Sequence, residues 1–145
     1  MQDFSISEFE TFLTRYLNLN YPLLPDKEVV VAQRCEAARC TFDEVLTRYH
    51  DIDIAYESAM DTLLFDYHFS KYDFIDAIFR DNFEQIRGKR RERLIRRYIL
   101  DLDPIFSSYP LADSNMELKQ VVYEHIANDL CAGNLKNMLS LFTNP

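Results

Sequence analysis

Glycine is almost missing from this sequence, with two residues in 145. Hairpin turns repeatedly need a positive φ, which glycine adopts at least steric cost, so a hairpin-rich β fold is excluded by composition. Tryptophan is absent, and the three cysteines show no pairing pattern. No N-terminal signal peptide is recognisable, and no apolar run reaches the roughly 18 residues of a membrane helix. These absences lead to the expectation of a soluble, cytoplasmic protein without a disulfide framework or a membrane partner. Basic residues are also in deficit, 16 Lys+Arg against 24 Asp+Glu, a net charge of −8. That balance disfavours nucleic-acid binding over the surface as a whole and leaves only local patches.

What is present is a great deal of apolar surface. Hydrophobic residues make up 48% of the chain, and the aromatic 14% is entirely Tyr and Phe. A chain of this length buries about 70% of its unfolded surface on folding, enough for a substantial core. No internal repeat, low-complexity tract or composition shift marks a second domain. The expected architecture is an all-α, single-domain bundle of six or seven helices over residues 1–145. Its helical segments fall at about 5–20, 27–50, 53–67, 71–87, 89–102, 104–108, 115–132 and 134–142.

The densest helical pattern lies in residues 68–86. Ser70 can cap it with Asp73 at the third position, and Phe74, Ile75, Ile78, Phe79, Phe83 and Ile86 recur at helical spacing. This pattern predicts a deeply buried helix closed by Gly88. Asn82 falls within the apolar arc and needs a partner there, which a neighbouring carbonyl can provide.

Ser5 and Glu8 make a capping-box pattern ahead of Ile6, Phe9, Phe12, Leu13, Tyr16 and Leu17 on one helical face. The prolines of Tyr21-Pro22-Leu23-Leu24-Pro25 keep the next stretch extended, and Asp26 is the expected cap of the second helix. That helix carries Val30, Val31, Ala37, Ala38, Phe42, Val45, Leu46 and Tyr49 on a broad face. The third repeats Ile52, Ala55, Tyr56, Ala59, Met60, Leu63, Leu64 and Tyr67, with Asp53, Glu57 and Asp61 opposite. Ala55 and Ala59, one turn apart, allow close approach of a neighbour. Further on, Ser114 and Glu117 repeat the capping box before Leu118, Val121, Val122, Ile126 and Leu130. Gly133 is expected to close that helix, with Leu135, Met138, Leu139 and Phe142 on a last short one.

Between these segments the charge changes abruptly. Residues 87–97 hold seven of the sixteen Lys+Arg and carry +6, so the remainder sums to −14. On a helical wheel Lys89, Arg90, Arg93, Arg96 and Arg97 lie on one side, and Leu94, Ile95, Tyr98, Ile99 and Leu102 on the other. Cations in a helix's first turn oppose its dipole by about 0.3–1 kcal/mol each. They should therefore seek carboxylates such as those on the third helix, or an outside partner.

The motifs His68-Phe69-Ser70-Lys71-Tyr72-Asp73 and Ser108-Tyr109-Pro110-Leu111-Ala112-Asp113, with the Tyr-Pro exit of the first helix, resemble an uncharacterised Bacteroides-type domain-of-unknown-function family. The resemblance covers roughly residues 5–132. It implies a small all-helical bacterial protein often encoded near mobile genetic elements. It implies no activity, cofactor or catalytic residue.

Chemistry-bearing residues are few. Cys35 and Cys40, five apart on a helix, point about 140° away from each other, and their spacing is not that of a zinc site. No His-Glu-x-x-His or di-iron pattern occurs, so neither a metal nor a cofactor is expected. His125 and Asp129, at i,i+4, are the best catalytic candidates, since a carboxylate beside a histidine can orient it as a general base. No nucleophile motif accompanies them, and a satisfied structural pair is the simpler account. His68 reads as a local packing residue and His50 as solvated. The leading expectation is a non-enzymatic interaction or accessory protein, self-associating or bound to a protein partner, that uses either the basic face of Lys89, Arg90, Arg93, Arg96 and Arg97 or a leftover apolar face. The runner-up is an auxiliary nucleic-acid-binding protein of a mobile element using the same face.

Overall fold

The computed structural model describes residues 5–143, with side chains through residue 133. The described residues form seven helices and no strand: α1 Ile6–Asn20, α2 Lys27–Tyr49, α3 Ile52–Leu63, α4 Lys71–Asn82, α5 Gly88–Asp101, α6 Asp103–Phe106 and α7 Met116–Thr143. The all-α expectation holds. By proximity the chain divides into two compact units, residues 1–71 and residues 72–145.

In the N-terminal unit α1 starts as its capping box requires, with the Ser5 hydroxyl accepting from the Glu8 amide at 3.4 Å. It buries Phe9, Leu13 and Leu17, whereas Phe12 stays 42% exposed, so the inner face is narrower than the apolar pattern. Asp26 precedes α2 in the left-handed region, at φ 54, and its side chain makes no cap bond. Its carbonyl does the work instead, accepting from the Val29 and Val30 amides at 3.0 and 3.1 Å. Val31, Cys35, Ala38 and Phe42 of α2 are buried, while Tyr49 lies 59% exposed beyond the packed region. The three alanines Ala38, Ala55 and Ala59 are wholly buried where α2 runs along α3, the close approach their small side chains permit. Tyr56 fills the space beside them, edge-on to Phe42 and stacked on Phe9.

α3 stops at Leu63, short of the expected residue 67, because the chain turns through Asp66 at φ 71. Arg34 of α2 holds that turn. Its guanidinium pairs with the Asp66 carboxylate at 3.2 Å and lies over the Phe65 and Tyr67 rings.

In the C-terminal unit α4 contributes Phe74, Ile75, Ile78 and Phe79 to the core. It ends at Asn82 rather than 87, and Gly88 does not close it. Gly88, at φ 60, opens α5 after a turn in which Ile86 remains buried. The apolar period thus outlasts the helix, since a turn can point a side chain inward as a helix does. Asn82 is exposed rather than within the apolar arc, and its amide donates to the Ile78 carbonyl at 3.0 Å, the kind of partner expected. α5 buries Ile95, Tyr98 and Ile99, with Leu102 just after it, and α7 buries Leu118, Val122 and Ile126. Each such side chain is worth about 1.5–3 kcal/mol of transfer free energy.

Asn115, not Ser114, caps α7: its side-chain oxygen accepts from the Leu118 amide at 3.1 Å. Gly133 does not end this helix, which runs unbroken to Thr143. A mid-helix glycine costs about 1 kcal/mol relative to alanine and does not by itself break the hydrogen-bond ladder as proline would. The side chains expected on the inner face of a separate last helix, Leu135, Met138, Leu139 and Phe142, lie outside the described residues.

Candidate functional site

The most strongly charged feature is α5. Its amphipathicity arises directly from sequence: Ile95, Tyr98 and Ile99 face inward, and the polar positions between them face out. Lys89, Arg90, Arg93, Arg96 and Arg97 are all exposed. Arg97 is held by Asp101 at 3.7 Å, one turn along α5, and by Asp129 of α7. Arg91, off the stripe, is turned inward: it donates to the Ile86 carbonyl at 2.8 Å and pairs with Asp76 at 3.5 Å. Among the described residues Lys89, Arg90, Arg93 and Arg96 make no ion pair. A helix start with no acidic residue in its first turn thus carries unneutralised cations at the positive end of its dipole.

The second grouping contains the candidates at residues 125 and 129, but the contacts differ from those the spacing suggested. Among the described residues no hydrogen bond joins His125 to Asp129. The carboxylate of Asp129 accepts from the Tyr98 hydroxyl at 2.5 Å and from Arg97. His125 lies edge-on to the Tyr98 ring, with centroids 6.0 Å apart. Burial and the bond to the Asp129 carboxylate push the Tyr98 hydroxyl above its ordinary range, so it stays protonated and donates. Tyr98 was legible only as an apolar position, because its partner is 31 residues away.

A third cluster was not anticipated. The Tyr16 hydroxyl donates to the Tyr67 carbonyl at 2.6 Å, and Tyr21 donates to the Phe69 carbonyl at 2.6 Å. Asn20 is 2% exposed; it donates to the Tyr16 carbonyl and accepts from the Ser70 hydroxyl at 2.8 Å. Lys71, 7% exposed, places its ammonium 4.4 Å from the Tyr21 ring centre. The motif of residues 68–71 is therefore stitched to the end of α1: its His68 and Phe69 carbonyls accept from the Tyr16 and Tyr21 hydroxyls, and its Ser70 and Lys71 side chains meet Asn20 and the Tyr21 ring. Its His68 side chain is exposed, as is His50, which stands at φ 54 after α2.

Cys35 is buried and Cys40 exposed. Burial, aided by Glu10, pushes the Cys35 thiol up to about 11, which leaves it protonated and unreactive near neutrality. No group of three His, Cys, Asp or Glu that could hold a metal ion occurs among the described residues. Nor does any buried side-chain nitrogen or oxygen there lack a hydrogen-bond partner. Two grooves of the C-terminal unit lie between α4 and the start of α7. One, of about 420 Å³, is lined by Asp81, Asn82, Met116, Lys119 and Tyr123 among others, and its neighbour, of about 350 Å³, by Asp73, Arg80, Asp113 and Lys119. Neither includes His125 or Asp129. No described helix is long and apolar enough to cross a membrane.

These features define a small all-helical protein with a segregated basic helix. The chain belongs to the family described as Domain of unknown function (DUF1896), which matches residues 1–140. It is similar in fold to the crystal structure of protein PG0816 from Porphyromonas gingivalis, with a TM-score of 0.68 and 22% identity, over 88% of this chain and 92% of that one. No curated protein matches.

Proposed function

We propose that this protein is a non-enzymatic accessory protein that engages an acidic protein surface through the exposed face of α5. The observation that carries the reading is that Lys89, Arg90, Arg93 and Arg96 are exposed and make no ion pair among the described residues, in a chain with eight more acidic than basic residues. With so many carboxylates available, four cations left over form a surface whose charge is unspent within the fold. Complementary charge steers encounter and fixes orientation. The engagement of Asp129 by Tyr98 and Arg97 favours a structural carboxylate over a base for His125.

The test compares the intact protein with an Arg93→Glu/Arg96→Glu variant, both tagged and recovered from the native host. A defined acidic partner that accompanies the unaltered protein, is released by salt and is lost from the variant is the expected result. An identical set of companions for both proteins would remove α5 from the function. A second reading, an auxiliary nucleic-acid-binding protein of a mobile element, draws on the same row of cations and on the family resemblance. It requires DNA or RNA affinity that falls steeply with salt and is lost in the same variant.

A further inference from the structure

We infer that the acidic surface met by α5 is α3 of a second copy of this chain. This deepens the preceding reading and rests on it. On α3, Ile54, Glu57 and Asp61 are exposed at i, i+3 and i+7, and neither carboxylate makes an ion pair among the described residues. On α5, read backwards, Leu100, Arg97 and Arg93 are exposed at the same spacing. At 1.5 Å per residue each triplet spans about 10 Å, so the two rows match in length as well as in order.

An antiparallel seating sets Leu100 against Ile54, Arg97 against Glu57 and Arg93 against Asp61. The parallel seating instead opposes Leu100 to Asp61 and Arg93 to Ile54, leaving a charge on an apolar partner at both ends. The apolar pair is a real resource, since Ile54 and Leu100 are 44% and 46% exposed. Arg97 keeps Asp101 and Asp129 yet remains half exposed, and a guanidinium has donors enough for a further carboxylate.

The charges of the two units favour the match. Residues 1–71 hold six Lys+Arg against thirteen Asp+Glu, whereas residues 87–97 alone carry +6. Repulsion between two chains of net charge −8 is screened over about 8 Å at physiological ionic strength, a range within which the facing rows still attract. Association of this kind is weak and salt-sensitive.

Sedimentation of the full chain over a wide concentration range tests it, at about 0.15 M and about 1 M salt. Concentration-dependent self-association that weakens at the higher salt is expected. Arg93→Asp and Asp61→Arg should each weaken it by about tenfold, and the chain carrying both should regain it, because the pair is restored with its signs exchanged. All these positions are exposed, so the variants should keep the helical spectrum of the parent. A chain monomeric at every concentration overturns the inference, as does a double variant that stays as weak as the singles. Dependence on Arg93 without dependence on concentration also overturns it, since the rows would then meet within one chain. A monomer that still binds an acidic partner through Arg93 ends this inference and leaves the proposed function standing; an α5 face that binds nothing ends both.

Discussion

The two compact units handle charge in opposite ways. In residues 1–71 five of the six cations are committed. Arg34 is paired with Asp66, Arg39 with Glu36 and Asp43, and Arg48 with Glu44; Lys27 donates to the Pro22 carbonyl, and Lys71 lies on Tyr21. Carboxylates are what remain, Asp53, Glu57 and Asp61 among them. In residues 72–145 the totals nearly balance, ten Lys+Arg against eleven Asp+Glu, but most of the cations sit on one helix. There the surplus is positive. A net charge of −8 therefore describes neither surface, because the two signs are segregated.

The units are nevertheless built to the same packing standard, and the largest expected effects test that. Phe79→Ala in α4, where the ring is wholly buried, should cost about 3–5 kcal/mol in chemical denaturation. A loss below about 1 kcal/mol would mean that the C-terminal unit is loosely packed, and the likeness between the units would fail. Ala59→Leu tests the other unit by overfilling the α2–α3 contact, and should cost about 1–3 kcal/mol. Neutral behaviour there would show that the small residues are not what brings the two helices together.

The polar ties come next. Tyr98→Phe removes the hydroxyl that Asp129 accepts and should cost about 1.5 kcal/mol. Burial raises Tyr98, and equally Tyr21 in the N-terminal unit, above the ordinary value of 10.0. Below that value both folded and unfolded phenols are protonated, and the stabilisation is fully present. Above it the unfolded chain gives up protons that the folded chain retains, so stability should fall as pH rises past about 10. Combining Tyr21→Phe with Tyr98→Phe should flatten that alkaline fall, and an unchanged slope would assign it to other groups. The smallest effect is chemical rather than energetic. In the native protein the exposed Cys40 and Cys131 should react promptly with a disulfide reagent near neutral pH, and the buried Cys35 only on unfolding. Three equal rates would contradict the burial of α2's inner face.

Much of this was legible in the chain itself. Period and composition sufficed for an all-α fold, for the inward sides of α4 and α5, for the cap at Ser5 and for the basic stripe, because each depends on residues within a few turns of one another. Helix ends were less legible. Gly88 and Gly133 look alike in sequence, yet one stands at φ 60 where α5 begins and the other lies inside α7, since a glycine permits a turn without demanding it. Asp26 and Ser114 have the chemistry of caps, but a left-handed backbone and the adjacent Asn115 took over their roles.

What the sequence by itself determined, then, was the set of helices and the sign of charge on each face, which follow from local spacing. Only the tertiary structure decided the partners. It turned Asp129 from His125 to Tyr98 and Arg97, tied Tyr16 and Tyr21 to carbonyls about fifty residues away, and left four cations of α5 without an ion pair among the described residues. A hydrogen bond needs its donor and acceptor within about 3 Å, and for groups so far apart along the chain it is the fold that sets this separation.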